Sequence, residues 1–337
     1  MQKGPYVEDV REKQPVEGLY LVRDKNNGIT KNGKPYIALN LSDKTGVVKA
    51  RVWDNAAKLD PCFDQGDVVY LKSHSVLYQG DMQLNIHAIN RIAAEDVDLR
   101  DFMPASRLDA EQGFADIQAC IATVNDAHLR RLLELIFEDK HIVEAFKQAP
   151  AAKSIHHDCL GGLIEHTLSV TRIADMLAGH YDTVNRDLLL TGAMLHDIGK
   201  IYELSFERSF DYTDEGRLIG HIVLGMELIS EIIRSIPDFP AQKTMLVKHM
   251  ILSHHGQLEF GSPKRPKTPE ALLLSYIDDI DAKMFDFTGF IEKEKRPETN
   301  WTGYHRLFNR YLYTGASADS AVLSPDHGET GKSPKDT

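Results

Sequence analysis

The spacing of hydrophobic residues in this chain changes near residue 93, and that change limits the folds it can adopt. From Glu17 to about Ile92 apolar and polar residues alternate between turn signals such as Asn26-Asn27-Gly28 and Gln79-Gly80-Asp81. Short strands at this spacing predict a small barrel or sandwich. Beyond about Arg107 the apolar spacing becomes helical, so the rest of the chain is predicted to be all-α.

The same changes in pattern divide the 337 residues into segments. The predicted segments are an N-terminal tail at 1–14, a β-domain at 15–93, an acidic connector at 94–126, an all-α domain at 127–312 and a disordered tail at 313–337. Helical spacing predicts six helices, at 127–148, 163–181, 187–203, 219–236, 241–254 and 269–285.

Charge and cysteine content exclude several classes of protein. The net charge is −11, and residues 1–100 carry 14 basic and 14 acidic side chains, so the whole excess of negative charge lies beyond them. This balance argues against a broad surface for duplex nucleic acid. The three cysteines form no CxxC pair, and no apolar run approaches the roughly 18 residues of a membrane span. We therefore expect a reducing, cytoplasmic location and no membrane insertion.

Two predicted strands place apolar residues on one face and basic or aromatic residues on the other. The residues expected in the barrel core alternate along both strands and are Ile37, Leu39, Leu41, Val48, Ala50 and Val52. The opposite face of the second strand carries Lys49, Arg51 and Trp53. A purely structural strand has no need to place these three groups together.

Several predicted helices carry ionisable residues within their apolar stripes. These inward-facing residues are His166, His196, His221, His254, Asp278 and Asp281. One such histidine alone is more often a hydrogen-bonded core residue. Several buried together are costly without partners, and a shared divalent cation satisfies them all at once. Imidazole and carboxylate without thiolate suit Mn, Fe, Co, Ni or Zn.

The adjacent pair His196-Asp197 needs a helix end. Neighbouring residues in a helix point about 100° apart, so both side chains reach one centre only where the helix stops. Gly199 follows two residues later and is expected to permit a local distortion of the backbone.

These residues resemble a known family. His166, the run His196-Asp197-Ile198-Gly199-Lys200 and Asp278 resemble the H…HD…D signature of the HD-domain metal-dependent phosphohydrolases. His221 and His254-His255 resemble the extended set of HD proteins that hold two metals. Longer stretches such as GHIVLGMELI and KHMILSHHGQLEFGSP, after a small β-domain, resemble the YhaM-type 3′→5′ exoribonucleases. The resemblance covers about residues 15–310.

The resemblance implies a set of metal ligands. The residues that match the family's ligands are His166, His196, Asp197, Asp278, His221, His254 and His255. The first four would hold one divalent ion, Asp197 would bridge to a second, and Mn²⁺ is the expected ion. Asp197 and Lys200 would be the catalytic residues, with Lys200 touching the substrate phosphate. Asp281 would either orient a ligand or lie on the helix surface.

The resemblance also implies an OB-fold domain that binds single strands. OB-folds stack bases on aromatic rings while basic groups follow the backbone. The candidate nucleic-acid-binding residues are therefore aromatic or basic, and they are Lys49, Arg51, Trp53, Tyr36, Tyr78, Lys264 and Arg265. The implied activity is metal-dependent 3′→5′ hydrolysis of single-stranded RNA, with single-stranded DNA as a further substrate, to nucleoside 5′-monophosphates.

Two other functions stay open at this point. An HD phosphohydrolase could act on a small nucleotide such as a cyclic dinucleotide, a dNTP or an alarmone, although the β-domain would then be superfluous. A non-catalytic single-strand-binding protein with a structural metal is the second alternative. Structural sites need four ligands and this chain offers at least seven, which argues against it. Assembly into a homo-oligomer is also open.

Overall fold

The first five strands form a closed barrel in the computed structural model, which describes residues 3–30, 32–93, 96–103, 105–152, 159–206, 211–296 and 298–315. The strands are β1 Pro15–Ile29, β2 Pro35–Asp43, β3 Gly46–Val52, β4 Val68–Tyr78 and β5 Asp81–Ile92, with the short helix α1 Ala56–Leu59 after β3. They close in the order β1-β2-β3-β5-β4. Only the β3–β5 pair is parallel among these neighbours. This five-stranded arrangement is the OB-fold, so the predicted fold is confirmed.

The barrel core lies where the alternation placed it. The six residues predicted from β2 and β3 are each at most 3% exposed. Tyr20 of β1 and Leu84 of β5 are fully buried in the same cluster. Because side chains alternate across a strand, Lys49 and Arg51 of β3 and the adjoining Trp53 lie on the outside.

Strand β1 is longer than the sequence predicted. The expected turn at Asn26-Asn27-Gly28 is wrong, since these residues pair with Ile37 and its neighbours on β2. The ring of Tyr36 covers Gly28, and a Cβ added there would lie 2.5 Å from that ring. Gly28 therefore lies in a strand and lets the Tyr36 ring pack over it, rather than forming a turn.

The segment predicted as an N-terminal tail packs on the barrel over its described part. The ammonium of Lys3 lies 3.0 Å from the carboxylate of Asp43, and the hydroxyl of Tyr20 donates to the carbonyl of Pro5 at 2.6 Å. Val10 is buried in the barrel core. These contacts make residues 3–14 part of the domain.

The second part of the chain is helical, as predicted. Its helices are α2 Ala110–Ala122, α3 Ala127–Glu138, α4 Lys140–Gln148, α5 Gly162–Ala178, α6 Arg186–Leu195, α7 Lys200–Glu203, α8 Asp214–Leu218, α9 His221–Ser235, α10 Ala241–Ser253 and α11 Pro269–Glu294. A two-stranded sheet, β6 Leu204–Ser205 with β7 Asp211–Tyr212, follows α7. The segment predicted as connector contains α2, whose Ile117 and Ile121 lie in the helical core.

Two predicted helices are interrupted. The helix expected at 127–148 breaks at Asp139, whose carboxylate accepts from the backbone N–H groups of His141 and Ile142 and so caps α4. The helix expected at 187–203 ends at Leu195 and restarts at Lys200. The second break puts His196 and Asp197 at a helix end, as the pair requires.

A small third cluster joins barrel residues to the segment that follows the barrel. Leu19, Leu21 and Val68 of the barrel pack there with Phe102 and Met103, and Leu160 is packed against the cluster. The barrel and the helices up to Lys283 thereby belong to one compact unit, Met1–Lys283.

Residues from Met284 onward form a second unit. The end of α11 is followed by a hairpin of β8 Trp301–His305 and β9 Arg310–Tyr313. The prediction of an all-α domain up to residue 312 is therefore wrong for this segment. The disordered tail predicted at 313–337 lies, from residue 316, outside the described residues. Within the described ranges, the helices are too short or too polar to cross a membrane.

Candidate metal centre

Five elements of the helical domain bring the predicted ligands together. His166 lies in α5, and His196 and Asp197 lie in the turn after α6. The remaining ligands are His221 at the start of α9, His254 and His255 at the end of α10, and Asp278 in the middle of α11. Asp197 belongs to two groups of donors, one with His166 and His196 and the other with His221, His254 and His255. Within each group the donor atoms lie within 4.8 Å of one another. Asp278 Oδ1 joins the first group, 3.2 Å from His166 Nε2.

Each of the five imidazoles is held at Nδ1 by a second partner. The Nδ1 atoms of His196, His254 and His255 lie 2.7–2.9 Å from the backbone carbonyls of Ala193, Ile251 and Phe260, respectively. A carbonyl only accepts, so Nδ1 carries the proton, and in the neutral ring the Nε2 lone pair is left to bind a metal.

Carboxylates hold the other two imidazoles. His166 Nδ1 lies 2.7 Å from Asp281, which also accepts from Ser169. His221 Nδ1 lies 3.0 Å from Glu203, and the same carboxylate oxygen accepts from the backbone N–H of His221. Of the two alternatives for Asp281, the buried contact with His166 is the one that the structure shows. Sequence reasoning left Glu203 without a role; its only signal was its place one turn after Lys200.

The structure leaves buried polar atoms that a cation would satisfy. Among the described residues, Asp197 Oδ1, His221 Nε2 and His254 Nε2 are buried without a hydrogen-bond partner. The Nε2 atoms of His166 and His196 face each other at 3.2 Å, an arrangement that needs a proton or a cation between them. Leaving such atoms unsatisfied costs about 1–3 kcal/mol each. The residues present therefore fit divalent metal ions.

The electrostatics favour ionised carboxylates and two neutral imidazoles. Burial raises the pKa of Asp197, but Lys200 and His196 outweigh it and hold the pKa well below its usual range. Burial likewise raises the pKa of Asp278, and His166 and His196 reverse that effect. Burial lowers the pKa of His254, and it lowers that of His255 to about 4.

His166 differs from these two imidazoles. Burial lowers its pKa, but the carboxylates of Asp278 and Asp281 outweigh burial and raise the pKa to about 9. In the absence of metal, His166 therefore carries the proton that separates it from His196.

Two features of the turn after α6 fix its position. The ammonium of Lys200 lies 2.6 Å from Asp197 Oδ2 and the residue is only 7% exposed, so Lys200 sits inside the centre. The expected local distortion is the break in the helix between Leu195 and Lys200, and Gly199, with φ −66° and ψ −15°, takes part in it without a left-handed conformation. A Cβ on Gly199 would lie 2.0 Å from the carbonyl oxygen of His221. Glycine is needed because α9 packs directly against this turn.

The predicted nucleic-acid-binding residues of the barrel lie on its outer surface. Trp53 is 45% exposed, its ring centroid is 5.2 Å from that of Tyr36, and its indole N–H donates to Asn85. The Arg51 guanidinium lies 5.9 Å from the Tyr36 ring centroid. Tyr78 is exposed at the end of β4. Lys49 is exposed and paired with Asp81 at 2.6 Å.

The other two predicted residues belong to the loop before α11, in the helical part of the chain. Lys264 lines an open groove of about 500 Å³ on α10, together with Lys248, His249 and Lys267. Arg265 is exposed, 4.0 Å from Glu259.

A closed OB-fold barrel followed by a helical centre of histidine and aspartate defines an HD-type metal-dependent phosphohydrolase. Residues 163–283 match the family model described as "HD domain". The chain is 35% identical to the 3′-5′ exoribonuclease YhaM of Geobacillus sp. (strain WCH70), over 98% of this chain and 100% of the relative. It is 33% identical to the protein of the same name from Bacillus subtilis (strain 168), over 88% of this chain and 94% of that relative. The chain belongs to the YhaM exoribonuclease family.

One of the solved structures similar to this chain is an OB-fold domain. The second OB-fold domain of replication protein A from Methanococcus maripaludis is matched at 16% identity and a TM-score of 0.22, over 26% of this chain and 93% of that chain.

Proposed function

We propose that this protein is a metal-dependent 3′→5′ exonuclease that hydrolyses single-stranded RNA to nucleoside 5′-monophosphates. The observation that carries the proposal is Asp197, which stands in both donor groups of the centre with one buried oxygen unsatisfied. Family membership supports the reaction and its direction. The HD match supports the dependence on a divalent metal.

The two donor groups support a site for two ions. His166, His196, Asp197 and Asp278 would hold one ion, and Asp197, His221, His254 and His255 the other. Such ions, when bound, supply a water of lowered pKa and neutralise phosphoryl charge. The donor set of imidazole and carboxylate admits several ions, and we propose Mn²⁺ from the family resemblance.

The residues of the chain have separate tasks around that site. Ionised Asp197 and Asp278 make it attractive to cations, and the five rings, each held at Nδ1, direct Nε2 toward the centre, where His166 would give up its proton to a metal. Lys200 lies beside Asp197 at 2.6 Å, so a phosphodiester bound to ions at Asp197 would meet this ammonium. We assign Lys200 to a contact with the substrate phosphate and Asp197 to the ions.

Single-stranded nucleic acid would be held outside the centre by two surfaces. The exposed rings of Tyr36 and Trp53, with Arg51 beside them, provide stacking and positive charge on the β2–β3 face, the part of an OB-fold that binds oligonucleotides. Lys248, Lys264 and Lys267 of the α10 groove have no carboxylate partner among the described residues, so they are available to backbone phosphates. Binding of single-stranded DNA, cytoplasmic location and assembly into a homo-oligomer stay predictions.

The test is degradation of a 5′-labelled single-stranded RNA by the purified protein with Mn²⁺ or with EDTA, resolved at single-nucleotide steps. We expect shortening from the 3′ end, release of nucleoside 5′-monophosphates, loss of activity in EDTA, and little digestion of a duplex. Intact RNA under every metal, with hydrolysis of a cyclic dinucleotide, dNTP or alarmone instead, would contradict the proposal.

A matched pair of variants connects the activity to the centre. Asp278→Asn removes a ligand and is expected to abolish RNA hydrolysis while the fold is kept. Asp279→Asn changes the adjacent exposed carboxylate, which is paired with Lys283 at 2.7 Å, and is expected to leave activity unchanged. Equal activity of the two variants would remove Asp278 from the site.

A further inference from the structure

The hairpin of β8 and β9 has two faces of opposite character. On one face Thr302, His305 and Leu312 are at most 8% exposed. The other face carries four large rings that are 51–60% exposed, and they are Trp301, Tyr304, Tyr311 and Tyr313. An exposed strand face ordinarily carries polar residues, so four aromatic rings there indicate a binding surface.

The four rings form two cross-strand pairs. Trp301 and Tyr313 have ring centroids 5.4 Å apart, and Tyr304 and Tyr311 have theirs 5.3 Å apart. The planes of each pair meet at 67° and 73°, which is the edge-to-face arrangement. This pairing holds each ring in a fixed orientation and leaves about half of it open to a ligand.

The hidden face fixes the hairpin within its own unit. The ring of His305 packs against that of Phe290 with centroids 4.3 Å apart, and its Nε2 lies 3.3 Å from Asp286. The Thr302 hydroxyl accepts from the backbone N–H of Leu312 at 3.0 Å. The exposed rings are therefore presented on an anchored support.

The charge of the hairpin indicates the kind of ligand. Residues 299–315 contain Arg306 and Arg310 and no acidic residue, although the whole chain has 50 acidic side chains in 337 residues. Both arginines are exposed, and neither is paired with a carboxylate among the described residues; Arg310 Nε donates to the carbonyl of Phe308. Glu294, the acidic side chain nearest Gly303, is itself 3.3 Å from Arg296.

We infer that this hairpin face is a second binding site for single-stranded RNA, separate from the barrel surface. The rings stack on the bases, and Arg306 and Arg310 contact the backbone phosphates. Arg306 lies in the turn of the hairpin and Arg310 pairs with His305 at the start of β9, so both charges are at the turn end of the hairpin rather than among the rings. A hairpin with exposed rings and positive charge at its turn suits a ligand with flat bases and negative charge better than an aliphatic protein surface. The choice of RNA rests on the proposed function, whereas the hairpin carries none of the predicted metal ligands.

The test is binding of a 5′-fluorescein-labelled 15-nucleotide RNA to the full chain, measured by fluorescence anisotropy in EDTA so that no cleavage occurs. Tyr311→Thr and Trp301→Thr remove one ring each and keep a residue that favours strands. We expect each to weaken binding about 5- to 100-fold, the range for loss of one stacked base. Tyr311→Phe keeps the ring and is expected to bind within about twofold of the wild type.

Two controls make the result specific. Tyr181→Thr removes an exposed ring elsewhere and is expected to leave the affinity unchanged, and circular dichroism checks that each variant is folded. Arg310→Gln is expected to reduce the slope of log affinity against log salt by about 0.7, as for one lost phosphate contact on a single strand.

Three outcomes would overturn the inference. The first is wild-type affinity in Tyr311→Thr and Trp301→Thr. The second is wild-type affinity in Tyr311→Leu, which keeps an apolar contact without a stacking ring. The third is a lower molecular mass of the ring variants than of the wild type in sedimentation, with their RNA affinity unchanged. That result would make the face a contact between copies of the chain.

The same experiment separates this inference from the proposed function. If the wild type binds RNA through these rings in EDTA but degrades none with Mn²⁺, the proposed exonuclease activity fails and the binding site stands. If the wild type degrades RNA and the ring variants bind it unchanged, the hairpin site fails and the activity stands.

Discussion

At the scale of single residues, the centre depends on side chains that do not touch the metal. The five imidazoles can present Nε2 together only because Nδ1 of each has a partner, three of them backbone carbonyls and two of them carboxylates. Two of the carbonyl partners are determined by helix geometry, since Ala193 and Ile251 each lie three residues before their histidine, and the third, Phe260, lies in the turn after α10. Glu203 and Asp281 are determined by packing between elements, which makes them the informative residues to change.

Glu203→Ala is expected to lower the affinity for Mn²⁺ about 10- to 100-fold, as loss of a partner that orients a metal-bound histidine usually does. The physical reason is that His221 loses its hydrogen bond at Nδ1 and becomes free to rotate. RNA hydrolysis measured against Mn²⁺ concentration would show the shift, with activity largely restored at high Mn²⁺. Glu227→Ala, at an exposed position of α9, the helix that begins at His221, is the control. A wild-type Mn²⁺ profile for Glu203→Ala would contradict the assignment.

At the scale of elements, helix ends and one close helix contact position the ligands. Asp126 begins α3 by accepting from the backbone N–H groups of His128 and Leu129, and it is paired with Lys243 of α10. Burial raises the pKa of Asp126, but Lys243 and the two N–H groups outweigh it and lower the pKa.

Asp126→Ala is therefore expected to reduce the free energy of unfolding by about 1 kcal/mol near neutral pH. Because the pKa of Asp126 is lower in the folded state, its contribution is present above the unfolded pKa and is lost as the pH falls through the folded value. The difference between the two proteins should shrink below about pH 4. Urea unfolding at several pH values measures this. Asp126→Asn keeps an acceptor for the cap, so its free energy of unfolding should lie between those of the wild type and Asp126→Ala. A difference between wild type and Asp126→Ala that grows on acidification would contradict the assignment.

Gly199→Ala is expected to destabilise the protein by about 1–3 kcal/mol, because its Cβ would displace α9 from the turn that carries Asp197. Because the predicted ligand His221 is the first residue of α9, a shift of α9 would also move this ligand. RNA hydrolysis should therefore fall together with stability. Gly289→Ala is the matched control, since nothing lies within 4 Å of its added Cβ, and it is expected to stabilise α11 slightly. Thermal unfolding and RNA hydrolysis are the measurements. Equal melting temperatures for the two variants would show that α9 tolerates the methyl group.

At the scale of the whole molecule, the barrel and the helical centre are expected to divide the work on a long substrate. The barrel and helical cores are separate clusters joined by the smaller cluster around Leu19 and Phe102. A substrate too small to reach the barrel surface should therefore be hydrolysed independently of that surface.

Trp53→Ala is expected to weaken binding of single-stranded RNA about 5- to 100-fold, because it removes one stacking ring. Hydrolysis of bis-p-nitrophenyl phosphate, which spans only the centre, should stay unchanged. Trp53→Phe, which keeps a ring beside Tyr36, is the control for lost packing. Equal loss on both substrates would show that Trp53 supports the fold rather than the RNA.

Much of this structure could be predicted because neighbouring positions carry the signal. Alternation along β2 and β3 identified the barrel core, and helical stripes identified His166 and Asp278 as inward-facing. The turn expected at Asn26-Asn27-Gly28 failed because pairing with β2 and the ring of Tyr36 outweighed local turn preference. The hairpin at 301–313 was missed because two short strands within a helical stretch give too little period-two pattern.

The sequence by itself determined the order of domains, the core faces and the inward direction of His166, His196 and Asp278, since residue type and spacing act over a few neighbouring positions. Only the tertiary structure decided which partners hold the rings, why Gly199 must be glycine, and that Trp301 and its neighbours share one exposed face. These features join residues far apart in the chain, as His166 and Asp281 are, and their distances are set by how helices and strands pack.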